Sequence, residues 1–121
     1  MSLSMNNKKI SRLHFVGICG SGMSALAQFC AWNTILVSGS DRGYEKKELK
    51  ETVSLLSQLS IKLTPQDGSG VSKDLDFLIV STAIEKDNPE VIAAQKLNIP
   101  ILHRSELLSI IVSSHKTIAI A

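Results

Sequence analysis

Three glycines interrupt an apolar run near the start of this chain, and they carry the strongest chemical signal in it. Leu13 to Ile18 is apolar, Gly17, Gly20 and Gly22 follow closely, and Met23-Ser-Ala-Leu-Ala-Gln-Phe-Cys-Ala-Trp32 has the pattern of a helix. Glycines between a strand and a helix bring the free N–H groups and the positive end of the helix dipole to an anion, so a diphosphate can be held there without a lysine. Read as G-x-G-x-x-G, the frame is Gly17, Cys19 and Gly22. A cysteine stands where the second glycine lets a pyrophosphate approach the backbone. Two readings fit: a phosphate-binding turn, or a tight turn whose glycines serve packing only. Asp41 follows a second apolar run, Thr34 to Ser38. An acid at that place reads the ribose in dinucleotide-binding units, and it can equally cap a loop.

The remaining polar residues near these turns suit binding better than catalysis. Ser21, Ser24, Ser38, Ser40, Asp41, Arg42, Ser81 and Thr82 supply hydroxyls, one acid and one cation, a set that fits a nucleotide sugar or a dinucleotide. Cys19 falls at a helix N-terminus, which can lower a thiol pKa, but no histidine base is near it in sequence, and a small apolar turn residue is the simpler reading. Cys30 reads as core. His14, His103 and His115 lie on different elements without metal-ligand spacing. His14 reads as a packed strand residue. His103 ends a strand on the ligand side, where substrate contact is open to it. Arg104 with Glu106 reads as a local ion pair ahead of a phosphate contact. There is no phosphate-loop lysine, no paired carboxylates and no Ser-His-Asp pattern, so no catalytic or metal-binding residue is assigned.

The elements that must position these residues alternate between strand and helix. Strands are expected near 12–18, 34–38, 61–64, 75–81 and 100–103, with a sixth at 116–121; helices near 22–32, 46–59, 88–97 and 105–113. Asn33 is expected to close the first helix in the left-handed conformation. Asn88-Pro89-Glu90 reads as an N-cap, a first-position proline and a dipole-complementing acid. Ser105 with Glu106 is expected to open the fourth helix in the same way. Alternating units imply an α/β, Rossmann-like three-layer sandwich around a mainly parallel five-stranded sheet of order 3-2-1-4-5. The crevice then lies at the carboxyl ends of the first and fourth strands. Loops 17–24, 38–42 and 81–85 converge there, and the turn-rich segment 64–72 is expected to join the same rim.

At 121 residues the chain is one domain, and 44% hydrophobic with 20% charged residues is ordinary for an α/β unit. A net charge of +2 without a basic stripe gives no sign of nucleic acid, and no apolar run reaches membrane-spanning length. Two cysteines make no disulfide framework, which suits a cytoplasmic, reducing setting. Residues 1–11 read as a flexible tail or cloning remnant, and 12–115 as the folded domain. The apolar pattern at 116–121 reads as the first strand of a further domain in a longer protein.

Together these motifs resemble the N-terminal domain of the Mur ligases, and most of all the UDP-N-acetylmuramate–L-alanine ligase branch. The resemblance rests on His14-Phe-Val-Gly-Ile-Cys-Gly-Ser-Gly-Met23, Val37-Ser-Gly-Ser-Asp41, Val80-Ser-Thr-Ala-Ile84 with Asn88-Pro-Glu90, Ile99-Pro100 leading to Arg104-Ser-Glu106-Leu107, and Thr117-Ile-Ala-Ile-Ala121. It implies a fragment that holds the UDP part of UDP-N-acetylmuramate. Gly20, Ser21, Gly22, Met23 and Ser24 would take the diphosphate. Ser40, Asp41 and Arg42 would border the uridine, and Ser81, Thr82, Ala83 and Ile84 the diphosphate and sugar. It also implies ATP and Mg²⁺ in a central domain, a C-terminal domain that helps place the amino acid, amide formation through an acyl phosphate in bacterial peptidoglycan synthesis, and an isolated fragment without activity. Two departures stand out: Cys19 replaces a glycine and is expected to push the diphosphate outward, and Pro65-Gln66 replaces a Gly-His pair. Two alternatives remain: a murein tripeptide ligase of the same family, and a stand-alone NAD-binding regulatory domain.

Overall fold

The computed structural model describes residues 3–5 and 8–120, with backbone alone at Met5 and 115–120. Five strands form one parallel sheet: β1 (Arg12–Val16), β2 (Leu36–Ser40), β3 (Lys62–Thr64), β4 (Phe77–Val80) and β5 (Ile101–His103). Their order is β3-β2-β1-β4-β5, and all four pairings are parallel. The helices are α1 (Ser21–Trp32), α2 (Lys50–Gln58, entered through a 3₁₀ turn at Lys47–Leu49), α3 (Pro89–Lys96) and α4 (Arg104–Ile120). The expected fold class and strand order are those observed.

Alternation along the strands divides the core into two sides of one sheet. Leu13 and Phe15 of β1 face a cluster with Met23, Ala27 and Cys30 of α1, Leu56 of α2 and Leu107 and Ile111 of α4. Val16 and Leu78 face the other way, onto Val91 and Ala94 of α3. The period of two in a strand and the i, i+4, i+7 spacing in α1 place these residues together. Gly17 is required by its backbone conformation and Gly39 by close packing. Gly17 has φ +81°, a backbone state that L side chains rarely adopt. A Cβ on Gly39 would stand 2.5 Å from Ile18 Cδ1 and 2.9 Å from Phe15 O. The turn after β1 crosses β2 at that point, and Ser40 O accepts from both Gly17 N (2.8 Å) and Ile18 N (2.9 Å).

Three helix ends repeat one device. Thr34, Ser60 and Asn98 have φ of 66°, 61° and 57°, and the next residue is in each case an isoleucine. Ile35 N donates to Cys30 O, Ile61 N to Leu56 O and Ile99 N to Ala94 O. All three isoleucines and all three acceptor residues are buried, so each helix closes with the hydrogen bond and apolar contact of a Schellman motif. The left-handed residue after α1 is therefore Thr34, not Asn33 as expected; Asn33 (φ −96°) turns its side-chain NH₂ back to Phe29 O, 2.8 Å away.

The two chain ends differ from expectation. Residues 1–11 were expected to form a flexible tail, yet Ser4–Met5 and Lys8–Lys9 pair antiparallel, and Leu3 and Ile10 are buried in the larger cluster. Two apolar residues among polar neighbours suffice to dock the segment; residues 1, 2, 6 and 7 lie outside the described residues. The strand expected at 116–121 is instead the last part of α4 as far as Ile120, and Ala121 lies outside the described residues. A strand needs a neighbouring strand for its hydrogen bonds, whereas a helix satisfies them within itself.

A buried polar chain ties α3 to the sheet. His14 and Glu90 are both fully buried. His14 Nε2 donates to Glu90 Oε1 (2.8 Å), its Nδ1 lies 2.7 Å from Ser38 Oγ, and Gly68 N donates to Glu90 Oε2 (2.6 Å). Burial alone would raise the Glu90 pKa; the His14 hydrogen bond, with the His14 charge and the Gly68 N–H, outweighs it and holds the carboxyl below its ordinary 4.5.

Two outcomes are expected in urea denaturation. Thr34→Gly, which removes a β-branched side chain from the left-handed region at an exposed site, should raise stability by about 1 kcal/mol; an unchanged or lower midpoint would refute it. Glu90→Gln leaves one acceptor oxygen for two donors and should cost roughly 1–3 kcal/mol at neutral pH. Because the folded pKa is depressed, the Glu90 contribution is present above pH 4.5 and is lost as pH falls through the lower folded value. The gap between wild type and Glu90→Gln should therefore narrow below pH 4.5.

Candidate functional site

The glycine turn delivers the N-terminus of α1 to the carboxyl end of the sheet. Gly20 is the N-cap and offers no side-chain cap. Its own N–H donates to Gly17 O (3.1 Å), and Ser24 N makes the first helical bond, to Gly20 O. The N–H groups of Ser21, Gly22 and Met23 precede any intrahelical acceptor and face outward from the helix end. Gly20, Ser21 and Gly22 are exposed, whereas the Met23 side chain is buried and Ser24 nearly so. This turn presents backbone, not side chains.

Asp41 shapes that turn from below. Its Oδ2 accepts from Cys19 N (2.9 Å) and its Oδ1 from Gly43 N (2.8 Å). The carboxylate therefore joins the loop after β2 to the loop after β1. Cys19 is 6% exposed and packs in the larger core cluster. Its side chain enters the core, so its bulk is not directed outward as the sequence suggested. Burial, and then the charge of Asp41, pushes the Cys19 thiol up to about 11, which leaves it protonated at neutral pH and a poor nucleophile.

The other predicted rim residues divide into accessible and buried ones. Ser40 is fully buried and meets the turn through its carbonyl. Arg42 is exposed and ion-pairs with Glu85. Ser81–Ile84 forms a turn closed by Ile84 N donating to Ser81 O (3.1 Å), with Thr82 and Ala83 exposed. Ile84 Cδ1 would lie 3.5 Å from a Cβ on Gly17, which brings this loop against the glycine turn. His103 faces its own helix: its Nδ1 accepts from Ser105 N (3.1 Å), while His103 N donates to Glu106 Oε1 (3.0 Å). This is a capping box with histidine as the N-cap, two residues before the cap expected at Ser105.

Sequence reasoning undervalued three residues. Glu106 is engaged with His103, so the expected Arg104–Glu106 ion pair does not form, and Arg104 has no ion-pair partner among the described residues. Instead its Nη1 lies 3.1 Å from the place a Cβ on Gly22 would occupy. An arginine thus rests on the first turn of α1. Asn88 and Glu90 were read as a cap and a dipole complement. Both are buried, and Asn88 Nδ2 also donates to Gln66 Oε1 (3.0 Å) and Glu85 Oε1 (3.1 Å). A histidine at an otherwise apolar strand position was the available hint of a buried polar partner.

The donor set limits what this end can hold. Among the described residues no three His, Cys, Asp or Glu side chains group as a metal site. No lysine follows the glycines of the turn. What it does offer is a set of backbone N–H groups at a helix N-terminus, which suits an anion. Among the described residues no helix is long and apolar enough to cross a membrane.

Comparison with known proteins agrees with this arrangement. Residues 12–116 match the model of the Mur ligase family, catalytic domain. The chain is 38% identical over 111 residues to a UDP-N-acetylmuramate–L-alanine ligase of Dictyoglomus turgidum, which covers 90% of this chain and 22% of that protein. It is 40% identical over 113 residues to the ligase of the same name from Synechococcus sp. strain CC9311, covering 90% and 23%. Among solved structures, the UDP-N-acetylmuramate–alanine ligase of Thermotoga maritima superposes with a TM-score of 0.75 at 32% identity, over 87% of this chain and 23% of that one. The chain spans less than a quarter of the length of these relatives. With a five-stranded parallel sheet in the same fold and a family match over nearly all of its length, the chain belongs to the Mur ligase family.

Proposed function

We propose that residues 12–115 form a uridine-diphosphate-binding domain that holds UDP-N-acetylmuramate within an alanine-adding Mur ligase of the bacterial cytoplasm. One observation carries the reading. Arg104 has no anionic partner among the described residues, is the first residue of α4, and lies against the first turn of α1. A cation at the positive end of two helix dipoles is unfavourable unless an anion joins them. A diphosphate seated on the N–H groups of Ser21, Gly22 and Met23 supplies that anion, with Ser24, Thr82 and Ala83 at its border and Ile84 beneath. Asp41 keeps lone pairs for a ribose hydroxyl while its two backbone bonds hold the loop; Ser40 acts through its carbonyl and Arg42 through its pair with Glu85.

In this reading ATP and Mg²⁺ act on parts of the ligase outside these residues, which supply no metal ligands and no phosphate-loop lysine. This chain's share is to bind and orient the nucleotide end so that the lactyl carboxylate is presented elsewhere. The amino acid added is chosen by residues that this chain does not contain.

Calorimetric titration tests the reading. UDP should bind with a Kd of roughly 10 μM to 1 mM, more tightly than NAD⁺ or ATP. Tight NAD⁺ binding with no response to UDP would favour the stand-alone regulatory alternative. Arg104→Ala should weaken UDP binding by about three- to tenfold at low ionic strength, with the difference shrinking as salt is added. An Arg104→Ala protein that binds UDP as wild type does in low salt would remove the guanidinium from the site.

A further inference from the structure

The N-cap role of Asn88 accounts for half of its side chain. Asn88 is 1% exposed, and its Oδ1 accepts from Glu90 N at 2.9 Å. A backbone N–H can only donate, so the oxygen must face α3, and the NH₂ must face the other way. There it meets two acceptors, Gln66 Oε1 at 3.0 Å and Glu85 Oε1 at 3.1 Å. Gln66 belongs to the loop after β3 and Glu85 to the loop after β4. Glu85 in turn ion-pairs with Arg42 in the loop after β2. One residue further, Glu90 Oε2 takes Gly68 N from the loop after β3. Three rim loops from three strands are therefore referred to one buried amide. Serine or aspartate caps a helix as well as asparagine does, so capping does not explain an NH₂ donated both to Glu85 in its own loop and to Gln66 of the loop after β3, 22 residues away.

We infer that Asn88 is a positioning residue of the nucleotide crevice: its buried NH₂, held by α3, sets the spacing of the loops after β2, β3 and β4 and thereby the affinity for the uridine nucleotide, without touching the ligand. The inference rests on the reading given under Proposed function. It separates two roles of one side chain, because the acceptor can be kept while the donor is removed.

Asn88→Ser and Asn88→Asp both retain the cap and lose the NH₂, and aspartate adds a charge facing Glu85. In the 121-residue chain, both variants should keep the circular-dichroism spectrum of wild type. Without ligand, the amide NMR signals of Gln66, Glu85 and Arg42 should shift while those of α1 and α2 stay in place. UDP affinity should fall about five- to fiftyfold in the folded variants, as expected when binding groups lose their preset spacing, and further in Asn88→Asp than in Asn88→Ser. Folded variants that bind UDP like wild type would overturn the inference and leave Asn88 a cap. Unmoved loop signals would do the same, whatever the affinity. Wild-type protein that fails to bind UDP is a separate outcome: it overturns the functional reading and takes this inference with it. If Asn88→Ser does not fold, Asn88→Asp, with the stronger cap beside the helix dipole, decides alone.

Discussion

An ionised carboxylate buried between a helix and a sheet sets the terms for the rest of this domain. Glu90 is fully enclosed, and a charge in that position is tolerable only when both oxygens are hydrogen-bonded. His14 meets one oxygen and Gly68 the other. Each partner then carries a further consequence. His14 must lie on the central strand with its second nitrogen beside Ser38, so the register of β1 on β2 is fixed by more than apolar packing. Gly68 brings the long connection after β3 down onto α3, where a helix would otherwise be needed to cover that side of the sheet. The device that satisfies one buried charge thus also closes a layer of the fold and brings a loop to the rim.

Electrostatics at the glycine turn follow a different logic. Asp41 sits below the turn with both oxygens bonded to backbone N–H groups of neighbouring loops, and Arg104 sits across the mouth of α1. The acid joins two loops through one backbone bond on each oxygen, while the arginine lies where two helix dipoles disfavour it. In the proposed reading, a diphosphate at the helix end between them balances that cation. Of the predicted rim, Ser21, Thr82 and Ala83 are exposed, Met23 and Ser40 are buried, and Arg42 is exposed but held by Glu85.

Much of this was legible in the sequence because local rules and global fold agree. The β-α alternation gave the parallel sheet and its order, and Asn88-Pro89 marked the start of α3 to the residue. The failures share a physical cause: one-dimensional patterns do not say which polar residues become buried. Glu90 satisfies the rule for an acid in a first helical turn and so concealed its role as a buried partner of His14, 76 residues away. Arg104 looked like half of a local pair because Glu106 stands at the right spacing, but Glu106 had a better use at the His103 N–H. Thr34 was passed over as a left-handed residue because Asn33 has the higher propensity. The repeated helix–Xaa–left-handed residue–Ile pattern at Thr34, Ser60 and Asn98 was nonetheless present, and each buried isoleucine that follows is the signal that decides it.

Cys19 shows how a departure from a family pattern can be absorbed. A glycine-rich turn excludes side chains where a diphosphate must approach, so a cysteine there reads at first as an obstruction. The obstruction depends on direction. The Cys19 N–H is fixed by Asp41, and this orientation sends the Cβ and sulfur into the core beside the α1 cluster. The outer side of the turn is left as a glycine would leave it. Charge was the second risk, because a thiolate beside a diphosphate would repel it. Burial and the Asp41 carboxylate push the thiol up to about 11, so the neutral form prevails at physiological pH and no negative charge is added. Burial, reinforced by the aspartate that holds the turn, therefore keeps the cysteine uncharged. A side chain is acceptable at this position when it is small, apolar in its uncharged state and compatible with an inward Cβ, a broader condition than glycine alone.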